Sequence, residues 1–276
     1  MQLWHVGRAA RQHALEKAGL EMVSSSNIPS SEEHPTPRPM AEEDIWECIE
    51  SFASAARNAI EAGFDGVEIH AANGYLIDQF TQDTCNSRTD EWGGSIEKRS
   101  RFCLEIAKAV SREIGPDRTA IRLSPFSTFQ GMRMKDPEPQ FTHLISKLKP
   151  LGLAYLHLIE PRIAGNVERE ADDKESLEFA LNTWGQSGPV ILAGGYNAEK
   201  ANKALETSCK EKPIAFAFGR HFISNPDLPF RLASDAPLMA YQRDTFYKVK
   251  SKDGYTDYPF SEEWDKEQKA VSEVSA

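Results

Sequence analysis

Short apolar runs alternate with longer stretches of helical periodicity along this chain. Six runs have the length and the Val, Ile, Leu or Phe content of buried strands, at residues 2–6, 66–70, 120–123, 154–159, 190–193 and 214–218. Their alternation with helical stretches predicts a parallel sheet with crossover helices. Periodicity alone does not separate a (β/α)8 barrel, which has eight strands, from an open doubly wound sheet.

Helix ends can be placed from local signals. Residues 44–62 have helical apolar spacing, acidic residues at their start and Gly63 after their end. Capping residues predict three further helix starts, at Ser95, Asn197 and Asn225. The stretch 24–39 contains four prolines and predicts an irregular loop, and the charged tail from about residue 253 predicts partial disorder.

Composition narrows the possible partners. The 276 residues carry a formal net charge of −10 without a basic cluster, which disfavours nucleic acid and anionic membranes as partners. The four cysteines form no CxxC pair and are typical of reduced thiols in an intracellular protein. No apolar stretch has the length of a membrane span, and no secretory signal opens the chain. We therefore expect a cytoplasmic protein.

The densest group of reactive side chains follows the second apolar run. The strand ends at His70, and Asn73 and Tyr75 follow within one turn. At the carboxyl end of a barrel strand, a histidine and an asparagine can both donate hydrogen bonds to one carbonyl oxygen. A tyrosine hydroxyl nearby can donate a proton. The same spacing equally allows a histidine whose ring is satisfied by the backbone and a tyrosine that only packs.

Seven segments resemble the Old Yellow Enzyme family. The run His70-Ala-Ala-Asn73-Gly-Tyr75-Leu-Ile-Asp-Gln-Phe80 resembles its active-site signature, and residues 87–102 resemble its loop into the fourth helix. Residues 2–8, 121–125 and 156–161 resemble its third, fifth and sixth strands. Residues 192–195 and 218–228 resemble the phosphate-binding ends of its seventh and eighth strands. The matches follow the family order, which makes the resemblance specific.

The resemblance implies an α/β fold, a (β/α)8 TIM barrel that holds FMN at its carboxyl face. The first two βα units of that barrel are missing from this chain. Residues 1–250 are expected to form the incomplete FMN-binding barrel domain. Residues 251–276 are expected to form a C-terminal tail that packs partly on the barrel and ends in disorder.

The resemblance also implies an activity. It points to an FMN-dependent ene-reductase that uses NADPH or NADH to reduce the C=C bond of α,β-unsaturated carbonyl compounds. His70 and Asn73 would bind the substrate carbonyl oxygen, and Tyr75 would protonate the α-carbon. The expected partner is a small-molecule enone, and the expected state is a monomer or homodimer.

Cofactor and pocket residues follow from the same resemblance. Gln2 and Arg122 would contact the pyrimidine edge of the flavin. The phosphate is assigned to Gly194, Gly195, Gly219 and Arg220. The residues themselves agree, because glycines permit close backbone approach and the arginine supplies charge, although Gly194-Gly195 alone is also typical of a tight turn. Trp4 would line the substrate pocket, and Tyr258 would reach it from the tail.

Two other interpretations remain open. Without two of its strands the barrel would expose strand edges, so we expect the chain by itself to express poorly and to bind FMN weakly. The alternative to an enzyme is then a flavin-free fragment without activity. A metal-dependent hydrolase could use His5, His70, His157 and Glu160. These four do not have the spacing of a metal-ligand set, so no metal is expected.

Overall fold

The computed structural model describes residues 1–164, 167–168, 175–207, 209–210 and 212–274. Its strands, in chain order, are β1 (Gln2–Leu3), β2 (Val23–Ser24), β3 (Arg38–Pro39), β4 (Val67–Ala71), β5 (Thr119–Leu123), β6 (Leu156–Ile159), β7 (Ile163–Ala164), β8 (Val167–Glu168), β9 (Val190–Ala193) and β10 (Ile214–Ala217).

The helices lie mainly between the strands of the large sheet. They are α1 (Gln12–Ala18), α2 (Glu42–Glu61), α3 (Leu76–Thr81), α4 (Ile96–Ile114), α5 (Pro137–Leu148), α6 (Glu178–Trp184), α7 (Ala198–Glu206), α8 (Arg220–Ser224), α9 (Leu228–Ala233) and α10 (Glu262–Val274). None of them, over the residues with described coordinates, combines the length and the apolar content needed to cross a bilayer.

Six strands form the main sheet, in the order β1-β4-β5-β6-β9-β10. The pairs β1–β4, β4–β5, β5–β6 and β6–β9 are parallel. All six strands overlap the apolar runs, so the predicted parallel sheet with crossover helices is confirmed. The first run was predicted too long. The strand ends at Leu3, because the chain then leaves the sheet and the carbonyl of His5 accepts a hydrogen bond from Leu76 N at 3.0 Å.

The two faces of this sheet differ in polarity. One face is apolar and buried, and includes Leu3, Ile69, Ile121, Leu156, Leu158 and Leu192. Since successive side chains on a strand point to opposite faces, the register places a polar set on the other face. That set consists of Gln2, Glu68, His70, Arg122 and His157. Helices cover the apolar face, so the polar face is the one that can hold a site.

Helices α2 and α4 pack against each other and show how the amphipathic pattern is used. Helix α2 buries Ile45, Ile49 and Phe52, and ends just before Gly63, whose φ is +92°. This agrees with the helix predicted at residues 44–62. Helix α4 begins at its predicted cap, where the Ser95 hydroxyl accepts a hydrogen bond from Lys98 N at 3.3 Å.

The other two predicted caps have different outcomes. Asn197 caps α7, because its Oδ1 accepts a hydrogen bond from Lys200 N at 2.8 Å. The prediction for Asn225 was wrong, since the helix begins at Leu228. The Asn225 amide instead accepts from Met239 N at 2.7 Å and donates to Met239 O at 3.1 Å. A partner distant in sequence has taken the side chain that could have capped the helix.

The chain divides into two compact units. The first contains Met1–Gly195 and Ser208–Phe216, and the second contains Tyr196–Thr207 and Ala217–Ala276. Within the second unit, the Trp264 ring on α10 packs edge-on against Phe230 on α9, with ring centroids 5.4 Å apart. The tail thus includes a helix that sequence analysis did not anticipate. A barrel domain at residues 1–250 followed by a separate tail stays a prediction.

The Ser95 cap gives a stability prediction. Ser95→Ala removes the hydroxyl that accepts from Lys98 N, so the free energy of unfolding should fall by about 1 kcal/mol. Urea denaturation measures the change, and Ser51→Ala on the exposed face of α2 is the control. Equal midpoints for Ser95→Ala and the native chain would show that the cap does not contribute to stability.

Candidate active site

The turn between β4 and α3 carries the predicted catalytic residues. Asn73 and Gly74 both have left-handed backbone conformations, with φ of +56° and +72°. The backbone N–H of Asn73 donates to the Ser124 hydroxyl at 2.7 Å. A Cβ at position 74 would lie 2.8 Å from Cγ of Met132, so only glycine fits there. The turn is therefore fixed by backbone geometry and by contacts with the segment after β5.

Three predicted site residues are in ring contact. The Tyr75 ring packs edge-on against His70, with centroids 5.0 Å apart, and against Trp4, with centroids 4.9 Å apart. His70 is buried, whereas Trp4 is 52% exposed. The structure thus brings together two predicted polar groups and the predicted pocket wall.

The protonation of His70 is set by its surroundings. Burial, followed by the nearby Arg122 charge, lowers the pKa of His70 to about 4. Its Nδ1 accepts a hydrogen bond from Ala72 N at 3.3 Å. In a neutral imidazole the proton then resides on Nε2, so His70 presents one N–H donor without a positive charge.

Asn73 offers a second polar group in the same turn. Its Oδ1 is buried and has no hydrogen-bond partner among the residues that the structure describes. Rotation of the amide exchanges this oxygen with the Nδ2 donor. A buried amide with an unmet hydrogen bond suits a polar ligand, because an unpaired buried polar group is costly.

A buried hydrogen-bonded pair that sequence reasoning missed lies on the polar face. Glu68 Oε2 pairs with His157 Nδ1 at 2.8 Å, and Glu68 Oε1 accepts from Gln2 Nε2 at 2.6 Å. Burial acts to raise the pKa of Glu68, but hydrogen bonding and charge from His157, together with the Gln2 hydrogen bond, hold it at about 2. The signal in the sequence was the two-residue spacing of Glu68 and His70 on one strand.

Arg122 lies between two histidines in the sheet register. It pairs with His70 on one side and with His157 on the other. Burial lowers its pKa, and the Glu68 charge opposes that shift. Within the described part of the chain, Arg122 Nε and His157 Nε2 are buried without hydrogen-bond partners. Unsatisfied nitrogens on this face fit a polar heterocycle such as the pyrimidine edge of a flavin.

The glycines assigned to phosphate binding differ in their surroundings. Gly194 and Gly195 have φ of +141° and +60°, and a Cβ on Gly194 would lie 2.6 Å from Cβ of Glu160. These two glycines are required by the turn after β9. Gly219 precedes α8 at ordinary φ, and a Cβ there would meet no atom within 4 Å. Their role at a phosphate stays a prediction.

The two assigned side chains of the second unit other than Gly219, those of Arg220 and Tyr258, have local partners. Arg220 Nη1 donates to the Tyr241 hydroxyl at 3.1 Å. The Tyr258 hydroxyl accepts a hydrogen bond from Gln242 N at 3.1 Å. These contacts describe where the side chains lie, and the assignments to phosphate and substrate remain predictions.

The environment of His70 gives a prediction about its titration. We expect a midpoint near pH 4, compared with 6.5 for an unperturbed histidine. As the pH falls below 6.5, the unfolded chain takes up this proton before the folded chain does, so His70 lowers fold stability between about pH 6.5 and 4. Histidine NMR titration, assigned with His70→Gln, measures the midpoint. A value at or above 6.5 would show that His70 is not held neutral.

Comparison with known proteins identifies the family. The model described as the NADH:flavin oxidoreductase / NADH oxidase family matches residues 1–238. Chanoclavine-I aldehyde reductase from Penicillium roqueforti (strain FM164) is 54% identical over 267 residues, which are 96% of this chain and 72% of that protein. A probable inactive reductase from Epichloe festucae var. lolii is 50% identical over 275 residues, which are 98% of this chain and 72% of that protein.

The fold gives the same result. Old Yellow Enzyme from Pichia sp. AKU4542 superposes with a TM-score of 0.86 at 36% identity, over 95% of this chain and 69% of that one. The six strands of the main sheet are thus strands of a (β/α)8 TIM barrel, and the barrel's first two βα units have no counterpart in this chain. The resemblance in the sequence is confirmed: this chain belongs to the NADH:flavin oxidoreductase / NADH oxidase family, with the fold of Old Yellow Enzyme.

Proposed function

We propose that this chain is an FMN-dependent ene-reductase, which takes electrons from NADPH or NADH and reduces the C=C bond of α,β-unsaturated carbonyl compounds in the cytoplasm. The observation that carries the proposal is the turn after β4. It joins a neutral His70, the unsatisfied amide of Asn73 and the ring of Tyr75 at the carboxyl end of one barrel strand. The name of the Penicillium relative supports an aldehyde as the carbonyl group.

Gln2 and Arg122 would hold the cofactor. Both lie on the polar face, and the unpartnered Nε of Arg122 offers a donor for the pyrimidine edge of FMN. When bound, FMN would supply hydride to the β-carbon of the substrate. Gly194 and Gly195 are proposed at its phosphate, because a backbone without Cβ atoms permits close approach.

His70 and Asn73 would polarise the substrate. The Nε2–H of His70 and the amide of Asn73 donate to the carbonyl oxygen, where negative charge develops as the β-carbon is reduced. Donors fixed in a buried site stabilise such charge more than water does, because they need no reorganisation. A neutral imidazole can serve this role because its Nε2–H is a hydrogen-bond donor even though the ring carries no charge.

Tyr75 would complete the reaction. Its hydroxyl donates a proton to the α-carbon, and its ring is fixed between His70 and Trp4. Trp4 is proposed as a wall of the substrate pocket. The second candidate is a flavin-free fragment without activity, supported by the Epichloe relative that is named probable inactive.

The first experiment separates these candidates and tests Tyr75. The full chain is purified with excess FMN, and both half-reactions are followed by stopped flow with NADPH and 2-cyclohexenone. Tyr75→Phe should leave flavin reduction unchanged and slow enone reduction by about 10²- to 10⁴-fold, because only the second step needs the proton.

Tyr255→Phe, a change at an exposed tyrosine, is the control and should match the native chain. Equal losses in both half-reactions would remove Tyr75 from the proton-transfer step. A chain that is colourless after unbound FMN has been removed would favour the fragment.

A second experiment tests the carbonyl site with a phenol, whose oxygen resembles the polarised substrate. His70→Ala or Asn73→Ala should each weaken phenol binding, as loss of such a donor costs about 2.7–4 kcal/mol in transition-state stabilisation. The long-wavelength charge-transfer absorbance reports binding, and His13→Ala on exposed α1 is the control. Unchanged phenol affinity in both variants would exclude the pair from carbonyl binding.

A further inference from the structure

A buried polar relay lies behind the catalytic turn. Asp78 on α3 is fully buried, and its Oδ2 accepts a hydrogen bond from Gly74 N at 2.8 Å. Its Oδ1 accepts from Gln82 Nε2, also at 2.8 Å. Gln82 is fully buried too, and its Oε1 accepts from the backbone N–H groups of Arg133 and Met134, each at 3.0 Å. Two side chains thus connect the turn after β4 with the segment after β5.

Both ends of the relay have unfavourable backbone conformations. Asn73 in the turn and Gln130 and Arg133 in the segment after β5 are non-glycine residues with positive φ, of +56°, +58° and +81°. Each such conformation is unfavourable for a residue with a Cβ and persists only where surrounding contacts impose it. The relay supplies such contacts at Gly74 and at Arg133.

The two ends also touch directly. A Cβ on Gly74 would lie 2.9 Å from Cβ of Gln130 and 3.0 Å from the carbonyl oxygen of Phe129. Gln130 Nε2 donates to the carbonyl of Asn73 at 3.4 Å. The segment after β5 and the turn are therefore packed directly against each other.

A second buried side chain holds the same glycine through its carbonyl group. Gln79 Nε2 donates to the carbonyl of Gly74 at 2.7 Å and to Val6 O at 3.3 Å, and its Oε1 accepts from Arg8 N at 3.1 Å. The N–H and the carbonyl of Gly74 are thus both bound by side chains of α3. Gln79 leads to Gln130 through Arg8, whose Nη2 donates to Gln130 O at 3.0 Å. Asp78 leads through Gln82 to Arg133 and Met134.

Stability does not account for a carboxylate at position 78. Burial raises the pKa of Asp78 to about 6, against the hydrogen bonds from Gln82 and Gly74 and the charge of Arg8. The folded state therefore disfavours the ionised group relative to the unfolded chain, and above pH 6 the charge costs stability. A carboxylate accepts two hydrogen bonds without bringing a donor, which is what the relay requires.

We propose that Asp78 and Gln82 are positioning residues for the enone site, which hold the catalytic turn and the segment after β5 in one arrangement. This rests on the proposed function. The hydrogen bonds that form the relay do not involve Gln2 or Arg122. Its loss should therefore affect the substrate side and leave the reduction of bound flavin by NADPH unchanged.

A polarity swap tests the relay. D78N keeps an acceptor for Gly74 N but turns an N–H₂ group toward the N–H₂ of Gln82, so one hydrogen bond must break. D78N/Q82E restores every pair: the new amide donates to the new carboxylate, which still accepts from Arg133 N and Met134 N. We expect D78N to weaken phenol affinity about 5- to 100-fold. The double variant should return to within about 3-fold of the native chain.

Hydrogen exchange of the Gly74 amide gives a readout that needs no cofactor. It should be faster in D78N than in the native chain and slow again in D78N/Q82E. Gln140→Leu is the matched control, since Gln140 is a buried amide that bonds Ile96 O at 3.1 Å and the Ser100 hydroxyl at 2.8 Å, away from the turn. It should lower stability without changing phenol affinity or Gly74 exchange.

The outcomes separate this inference from the proposed function. A double variant no better than D78N, or a D78N variant equal to the native chain, overturns the relay. Should D78N fail to fold, a folded double variant with native exchange supports the relay and an unfolded one overturns it. A native chain that binds neither flavin nor phenol contradicts the proposed function, while the order of exchange rates still decides the relay.

Discussion

The parallel register of β4 with β5, and of β5 with β6, determines which side chains can meet on the polar face. It pairs His70 with Arg122 and Arg122 with His157. A slip of one residue would turn these polar side chains into the apolar layer beneath the helices and bring Ile69 and Ile121 onto the polar face. Burial of the apolar face prevents that slip, so the interaction that stabilises the sheet also aligns the site.

Burial of polar side chains on the polar face costs free energy, and burial of the apolar face offsets that cost. Glu68 and His157 are both largely buried and hydrogen-bonded to each other, and burying such polar groups costs free energy that well-packed apolar residues would not. Arg122 adds a guanidinium on the same face, whose Nε has no hydrogen-bond partner among the described residues. Such a set suits the polar ligand that we propose for this face, because the ligand's polar atoms would complete the hydrogen bonds.

Local sequence signals predicted the elements well, because each depends on residues close together in the chain. The apolar runs predicted the six strands of the main sheet, and Ser95 and Asn197 predicted two helix starts. Asn225 failed as a cap because Met239, fourteen residues further on, binds its amide. A signal read from neighbours cannot show that a distant group competes for the same side chain.

The candidate site likewise contains some contacts that the sequence predicts and others that it does not. His70, Asn73 and Tyr75 share one turn, so their proximity follows from the chain itself once the strand end is located. The pair of Glu68 with His157 joins residues 89 positions apart, and the hydrogen bonds of Gln82 to Arg133 N and Met134 N span about 50 positions. Such contacts depend on the strand order and on the path of the segment after β5, neither of which periodicity specifies.

In this family, members that are similar in sequence can differ in whether they are active. Helices, register and core involve dozens of side chains, whereas the proposed chemistry depends on three side chains on one turn and on the groups that hold it. A relative 50% identical to this chain is named a probable inactive reductase, and another 54% identical is named an aldehyde reductase. Overall identity therefore cannot decide activity. In this chain the turn retains a neutral histidine donor, an unsatisfied amide and a tyrosine, with strained neighbours held by buried carboxylate and amide groups. An arrangement that costs stability at so many adjacent positions is typical of a functional site, which agrees with the ligand-binding role that we propose for this turn.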